Sequence, residues 1–268
     1  MDYNKTIGEL VEDGYKVTIR TPAQEKAWKE QQRKREYRSK QGDFVIMKDK
    51  RIKAVAEQLT LSQAGLLFAL VPFMAKGKQG KLTIKGQRLG KKEIAKIVNS
   101  KEDTVYRLLS ELEAYGVLTS EKEGKRLVYS VNQAFITNTK LDEQIDYFTR
   151  VFKGKAEKLL KVLTVQELGC LMKMLQLANS RYLVLCHNPY ELEAPKVQPL
   201  KREELAQELG VSLAYLKKLT KKLMEQEVLY KVTGKRAIYL LSPYLFSRLD
   251  REITAKELID IINNKHEF

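Results

Sequence analysis

The sequence holds few cysteines, histidines, tryptophans and prolines: two, two, one and six, with 14 glycines, in 268 residues. So little cysteine excludes a disulfide scaffold, and so little glycine and proline excludes collagen-like and low-complexity chains. Long hydrophobic runs are missing too. The longest, Ala64 to Ala75, has about 12 residues with Pro72 inside it, against the roughly 20 of a membrane-spanning helix. The start, MDYNKTIGEL, has no basic stretch, apolar run and small-residue cleavage site, so a cytoplasmic protein with reduced thiols is expected. Catalytic side chains are equally scarce. His187 and His266 form no His-x-His pair, and Cys170, Cys186 and His187 lack zinc-ligand spacing. Gly77-Lys78-Gln79-Gly80-Lys81 only superficially suggests an ATP loop. Cys170 falls on the apolar face of a helix and Cys186 in an apolar strand, which suits packing. The expectation is a non-enzymatic protein with no catalytic residue, metal or cofactor.

Positive charge, by contrast, is plentiful and concentrated. Lys26 to Lys53 contributes +7 and Lys76 to Lys101 contributes +8, together the whole formal net charge of +15. A localised field suits a polyanionic partner, with nucleic acid first. A lysine-rich surface also keeps a protein soluble. An anionic membrane surface fits less well, because the basic stretch Pro22 to Lys40 has Trp28 as its single large apolar group.

Residues 59–153 lie over 163–264 as an internal repeat. Leu59-Thr60-Leu61-Ser62-Gln63-Ala64-Gly65 matches Leu163-Thr164-Val165-Gln166-Glu167-Leu168-Gly169, at an offset of 104. Glu93 to Val98 matches Glu204 to Leu209 at an offset of 111. Gly124-Lys125-Arg126 recurs as Gly234-Lys235-Arg236, and Leu127-Val128-Tyr129 as Ala237-Ile238-Tyr239, at an offset of 110. The extra length of the second copy falls in His187 to Pro199, whose three prolines mark an irregular excursion.

Periodicity orders the elements within each copy. Leu61 to Val71 forms an apolar helix, Leu82 to Ile84 a short strand, Lys91 to Val98 a second helix, and Lys101 to Tyr115 a third, ended by Gly116. Two strands follow, Val117 to Thr119 and Leu127 to Val131. In the second copy the corresponding helices are Lys201 to Leu209 and Ser212 to Gln226, with a hairpin from Val228 to Leu241. Each copy is expected to end in an amphipathic helix, one lined by Leu141, Ile145, Phe148, Val151 and Phe152, the other by Leu258, Ile261 and Ile262 after a Thr254 to Glu257 capping box. The fold expected is mainly α with small β-hairpins (α+β): two tandem winged helix-turn-helix domains, 44–153 and 154–268, joined as a covalent pseudo-dimer behind a basic N-terminal extension, 1–43.

A third helix of this kind packs one face on the core and offers the other to the major groove. With Leu216, Leu219 and Leu223 inward, Lys217, Lys218, Lys221 and Lys222 point outward, with Ser212 and Tyr215 near the start. In the first copy the outward set is Asp103, Tyr106, Arg107, Ser110 and Glu111. Thr104, Tyr106, Arg107 and Ser110 are suited to read bases, Arg107 best, through a bidentate guanine contact. Lys91, Lys92, Lys96 and Lys101 flank that helix. The hairpin tips place Lys122, Lys125 and Arg126, and Lys235 and Arg236, for phosphate or minor-groove contact. A protein-binding role for the first unit stays open. In the extension, Tyr15 to Arg20 alternates like a strand, and Thr21-Pro22-Ala23-Gln24 caps a polar helix running to about Lys40. Arg33, Lys34, Arg35 and Arg38 cluster near its end, suited to clamp DNA or to act as an arm between protomers.

The run Ile238-Tyr239-Leu240-Leu241-Ser242-Pro243-Tyr244-Leu245-Phe246-Ser247-Arg248 resembles the wing strand and following segment of RepL-like winged-helix proteins of Gram-positive plasmids and phages. Lys201 to Ser212 resembles the preceding helix and turn, and residues 44–135 are similar to the same broad class, which overlaps in pattern with MarR-like regulators. Two copies in one chain also look like tandem winged-helix plasmid initiators. The resemblance implies binding of double-stranded DNA at an origin or operator of a mobile element, in a bacterial host cell. The functional expectation is a replication initiator of a plasmid or phage. A transcriptional regulator, repressor or activator, is the alternative, and a basic scaffold recruiting replication or transfer proteins the third. Partners expected are double-stranded DNA, a second copy (homodimer), and replication or transcription proteins; no membrane is expected.

Overall fold

The computed structural model describes residues 21–39, 42–138, 147–233, 237–248 and 259–261. The chain divides into two units, residues 1–40 and 41–268. In the first, helix α1 (Pro22–Ser39) begins where the sequence places it. The Thr21 hydroxyl accepts from the Gln24 amide at 3.3 Å, and Gln24 Oε1 accepts from the Thr21 amide at 3.0 Å. Both bonds satisfy amides that a helix start leaves orphaned. An i,i+4 pair, Lys29–Glu25 at 3.4 Å, lies along the helix. Arg33, Lys34, Arg35 and Arg38 lie on this helix, but their side chains are outside the described residues, as are Tyr15 to Arg20 and Lys40.

The second unit is mixed α/β, with helices and small antiparallel sheets. Its largest sheet has the order β10-β7-β1-β6, where β1 is Phe44–Lys48, β6 Ile136–Thr137, β7 Phe148–Phe152 and β10 Phe246–Ser247. The register is self-symmetric. Phe44 faces Phe152, Lys48 faces Phe148, and at the centre Ile46 faces Arg150, its own counterpart at the offset of 104. The flanking strands repeat the relation: Met47 pairs with Ile136, and Val151 with Phe246. A local twofold axis therefore passes through the middle of β1 and β7.

This sheet corrects one expectation. Phe148, Val151 and Phe152 do not line a helix after the first copy; they form β7, pairing with β1 along its length. Phe-Thr-Arg-Val-Phe is rich in aromatic and β-branched residues, which suit a pleated surface better than a helix. Leu141 and Ile145 lie outside the described residues, as do Thr254 to Leu258 and Ile262. The strand is followed by helix α6 (Lys153–Leu159), as β1 is followed by α2 (Asp49–Ala56). The structural repeat thus starts at Phe44 and Phe148, upstream of the stretch that aligns by sequence.

Helices α3 (Leu61–Leu70) and α7 (Val165–Leu177) meet at the axis. Each opens with a capping box, Thr60/Gln63 and Thr164/Glu167. Their contact is built on glycine. A Cβ on Gly65 would lie 1.7 Å from the Val165 carbonyl oxygen, and one on Gly169 would lie 1.9 Å from that of Leu61. Backbone thus touches backbone, and one apolar core runs through both halves, with Phe68, Leu66, Leu171 and Met172 fully buried.

On either side of this centre stand the elements that carry the exposed basic residues. The first half continues as a short hairpin (β2, Thr83–Ile84; β3, Gln87–Arg88), α4 (Lys91–Ile97), α5 (Glu102–Ala114) and the hairpin β4 (Leu118–Glu123) and β5 (Arg126–Val131). The second half has α8 (Arg202–Glu208), α9 (Leu213–Glu225) and the hairpin β8 (Leu229–Thr233) and β9 (Ala237–Leu241). The turn between each pair of helices passes through a left-handed residue, Asn99 (φ 47°) or Gly210 (φ 65°). Asparagine and glycine tolerate that conformation best, which fixes a tight turn rather than one continuous helix.

The axis is broken by charge near the sheet. Arg248, almost fully buried, donates through Nη2 to the Leu175 carbonyl at 2.9 Å and through Nη1 to that of Ala178, closing the C-terminal end of α7. Nη2 also lies 3.2 Å from Asp49 Oδ2, and Thr149 Oγ1 donates to Asp49 Oδ1 at 2.8 Å. In the other half Asn138 Nδ2 and Lys153 Nζ donate to the Met74 carbonyl. Carbonyls that would be orphaned at a helix end are satisfied in both halves, by different side chains.

Candidate nucleic-acid interface

Helix α9 is strongly two-sided. Leu216, Leu219 and Leu223 are fully buried, whereas Lys217, Lys218 and Lys221 are exposed along one side, with Glu225 exposed at the end. Ser212 caps the helix, its hydroxyl accepting from the Tyr215 amide at 3.2 Å, and the first turn holds no acid. The positive end of the helix dipole is therefore left uncompensated beside the lysines.

Two residues of this set lie elsewhere than the sequence suggested. Tyr215 is half-buried against the core rather than outward. Burial, together with the neighbouring Cys170 and Glu167, pushes its hydroxyl up to about 12. Position 215 falls on the flank between the two faces, and an aromatic ring gains more by packing than by staying wet. Lys222 is half-buried, and its ammonium lies 2.7 Å from Glu167 Oε2. This pair joins α9 to the capping box of α7. The first half holds its counterpart, Gln63 Nε2 donating to Glu111 Oε2 at 2.8 Å.

The pairing has a pH consequence. Burial raises Glu167, but hydrogen bonds from Lys222 and the Thr164 amide outweigh it and hold the carboxyl below its ordinary value of 4.5. A lowered folded-state value contributes stability above pH 4.5 that is lost as pH falls through the folded value. Glu167→Gln is expected to cost about 1 kcal/mol at neutral pH, the gap to the parent closing in acid. Denaturant titrations of both proteins from pH 7 downward measure it; a gap that is constant with pH would contradict the assignment.

In the first half the third helix is of opposite sign. Helix α5 buries Val105, Leu108, Leu109 and Leu112 and carries Glu102, Asp103, Glu111 and Glu113 against Arg107. Glu102 and Asp103 occupy its first turn, compensating the dipole there. Thr104, Tyr106, Arg107 and Ser110 are exposed. Arg107 is engaged with Glu111 at 2.7 Å, so a bidentate guanine contact has to displace this pair. Lys91 lies over the Tyr106 ring, 5.4 Å from its centroid, a cation–π contact. Basic character in this half sits on α4, where Lys91, Lys92 and Lys96 are exposed, and on Lys101.

The first hairpin exposes Lys122 and Lys125 near its tip. Arg126 is folded back, donating to the Arg88 carbonyl at 2.5 Å, with Glu93 at 3.3 Å. Arg88, mostly buried, bridges Glu121 at 2.5 Å and Glu123 at 3.0 Å. The acids of this hairpin and Arg126 are thus tied to residues outside it, which the sequence hides because Arg88 and Glu93 lie 33 or more residues before their partners, while Lys122 and Lys125 stay exposed. Lys235 and Arg236, in the second tip, lie outside the described residues.

The described residues assemble no reactive centre of a recognised kind. No three of their His, Cys, Asp and Glu side chains are grouped to hold a metal ion. Cys170 and Cys186 are fully buried, and burial raises their thiols to about 11 and about 12, opposite to an activated nucleophile. His187 faces Glu204 at 3.2 Å. A cleft of about 300 Å³ lined by Lys53, Lys173, Gln176, Cys186, His187 and Glu208 adjoins it. No described helix is long and apolar enough to cross a membrane. Compared with family models, curated proteins and solved structures, the chain matches none.

Proposed function

We propose that the chain is a sequence-specific double-stranded DNA-binding protein, built of two winged helix-turn-helix units in one pseudo-dimeric body, and that it acts as a replication initiator on a plasmid or phage. The observation that carries DNA binding is α9: an amphipathic helix after a tight left-handed turn, anchored by three buried leucines and offering Lys217, Lys218 and Lys221 to solvent. Such a face neutralises phosphates while its long side chains reach base edges. Support also comes from α4, which adds Lys91, Lys92 and Lys96 in the other half. The initiator role rests on the resemblance to RepL-like and tandem winged-helix plasmid proteins.

Two units in one chain place the second contact at high effective concentration once the first has formed. Two half-sites about 10–10.5 bp apart suit such a body. Selection from random duplexes with the full chain tests the reading. Enrichment of a defined sequence, protected over about one to two helical turns, is expected; recovery of unenriched DNA would remove specific recognition. The genomic position of the selected site then separates the roles. Iterated copies beside an A·T-rich origin fit an initiator, whereas a single copy over a promoter fits a transcriptional regulator.

A further inference from the structure

The two halves are equivalent in fold and inverted in charge. At the offset of 111, Tyr106, Arg107, Ser110 and Glu111 of α5 occupy the positions of Lys217, Lys218, Lys221 and Lys222 of α9. Helix α5 carries four acids and one base, net −3; α9 carries four bases and one acid, net +3. The helices before them invert in the same manner. Helix α4 has Lys91, Lys92 and Lys96 against Glu93, net +2, and α8 has Arg202 against Glu203, Glu204 and Glu208, net −2. Helix by helix the net signs are thus opposite, with the exposed acids of α5 at Glu102 and Asp103 in its first turn and Arg107 standing where α9 has Lys218.

We infer that a second copy of this chain docks on these faces, α5 of one protomer against α9 of its partner, in a closed dimer that covers the lysines of α9. The local twofold axis through Ile46 and Arg150 makes α5 and α9 symmetry-equivalent within one chain. Of the two perpendicular twofold axes that can relate a second chain to it, one brings its α9 onto α5 and its α5 onto α9 together, and the other brings like onto like. Two identical contacts form, and the assembly closes at two chains rather than growing into a filament.

Charge selects this register over the alternatives. Placing α9 on α9 would oppose exposed lysines with lysines, and α5 on α5 would oppose Glu102 and Asp103 with themselves. Like charges across an interface repel, whereas unlike patches steer the two chains together. The helix ends reinforce the choice, because the acid-bearing first turn of α5 complements the acid-free, positive first turn of α9. Association through α9 competes with phosphate, so that duplex DNA and dimer exclude one another. The exclusion rests on the DNA-binding reading; the association does not.

A charge-swap experiment on the full chain tests the dimer. By sedimentation velocity the parent is expected to dimerise at about 50 mM salt and to dissociate at about 500 mM, where screening is short-ranged. Glu102→Lys with Asp103→Lys in one variant, and Lys217→Glu with Lys218→Glu in another, should each weaken self-association by at least about tenfold. All these residues are exposed, and circular dichroism checks that both variants fold. An equimolar mixture should regain dimer, because each variant then meets its complement at both contacts. A parent that stays monomeric at low salt, a dimer indifferent to salt, or a mixture that fails to associate would each overturn the proposal. Adding duplex should release monomers; a dimer that obeys the charge swap while no duplex binds any form leaves the association standing and removes the DNA reading.

Discussion

Gly65→Ala is expected to destabilise the protein by at least about 3 kcal/mol, and Gly169→Ala by a similar amount. A methyl group at either position falls well inside van der Waals contact with a carbonyl of the facing helix. Backbone cannot yield as a flexible side chain would. Separating α3 from α7 would open the core at Leu66, Phe68, Leu171 and Met172, which are fully buried. The denaturation midpoint should fall, with the slope unchanged. Gly154→Ala is the internal control, because nothing lies within 4 Å of a Cβ there and the site is inside α6; it should be neutral or stabilising by about 0.5–1 kcal/mol. Midpoints unmoved by changes at Gly65 and Gly169 would show that the two halves do not meet as described.

The second large effect is on DNA. Lys218→Ala with Lys221→Ala should lower affinity for every duplex by about 10- to 100-fold at low salt, and flatten the dependence of log K on log salt by about two contacts' worth, roughly 0.9 each. Both ammonium groups are exposed, so folding should be untouched. Lys222→Ala should behave differently. Its ammonium is committed to Glu167, so it should lower stability while changing the salt slope less. A double variant that binds like the parent would mean that another face of the protein meets DNA.

Much of the fold was legible in the sequence because its signals are local. Thr21 with Gln24 is a capping box that can be read within four residues, and it caps the helix it announces. The leucine spacing of α9 and the glycine at position 210 are equally local. What stayed hidden depends on partners far along the chain. Phe148 to Phe152 alternates apolar and polar residues only in part, and becomes a strand because β1, about a hundred residues earlier, supplies its hydrogen bonds. Gly65 and Gly169 could be aligned, but only the crossing of α3 and α7 shows why both are glycine. In the candidate site, the leucines of α9 predicted which lysines point outward. They did not show that Lys222 is held by Glu167, that Tyr215 turns inward, or that Arg126 is folded onto Arg88 and Glu93.

The charge pattern shows the same division. Net charge on the whole chain pointed to a polyanion, and the +8 segment lies on the approach to α5. Helix α5 itself has acids in its first turn and Arg107 paired with Glu111, whereas α9 lies in a stretch of modest net charge and exposes a run of lysines. On the DNA-binding reading, local placement on a helix face, rather than the density of basic residues along the chain, sets where phosphate would be met.

The proposed DNA recognition requires α9 to enter the groove. Lys218→Cys gives a single accessible thiol, since Cys170 and Cys186 are fully buried with thiols raised well above neutrality. An iron chelate tethered there and activated on the selected duplex should cut both strands at one cluster of positions inside the protected region, offset as expected for a probe in the major groove. Cleavage spread evenly along the duplex, or confined to DNA outside the protected region, would contradict the assignment of α9 as the reading helix.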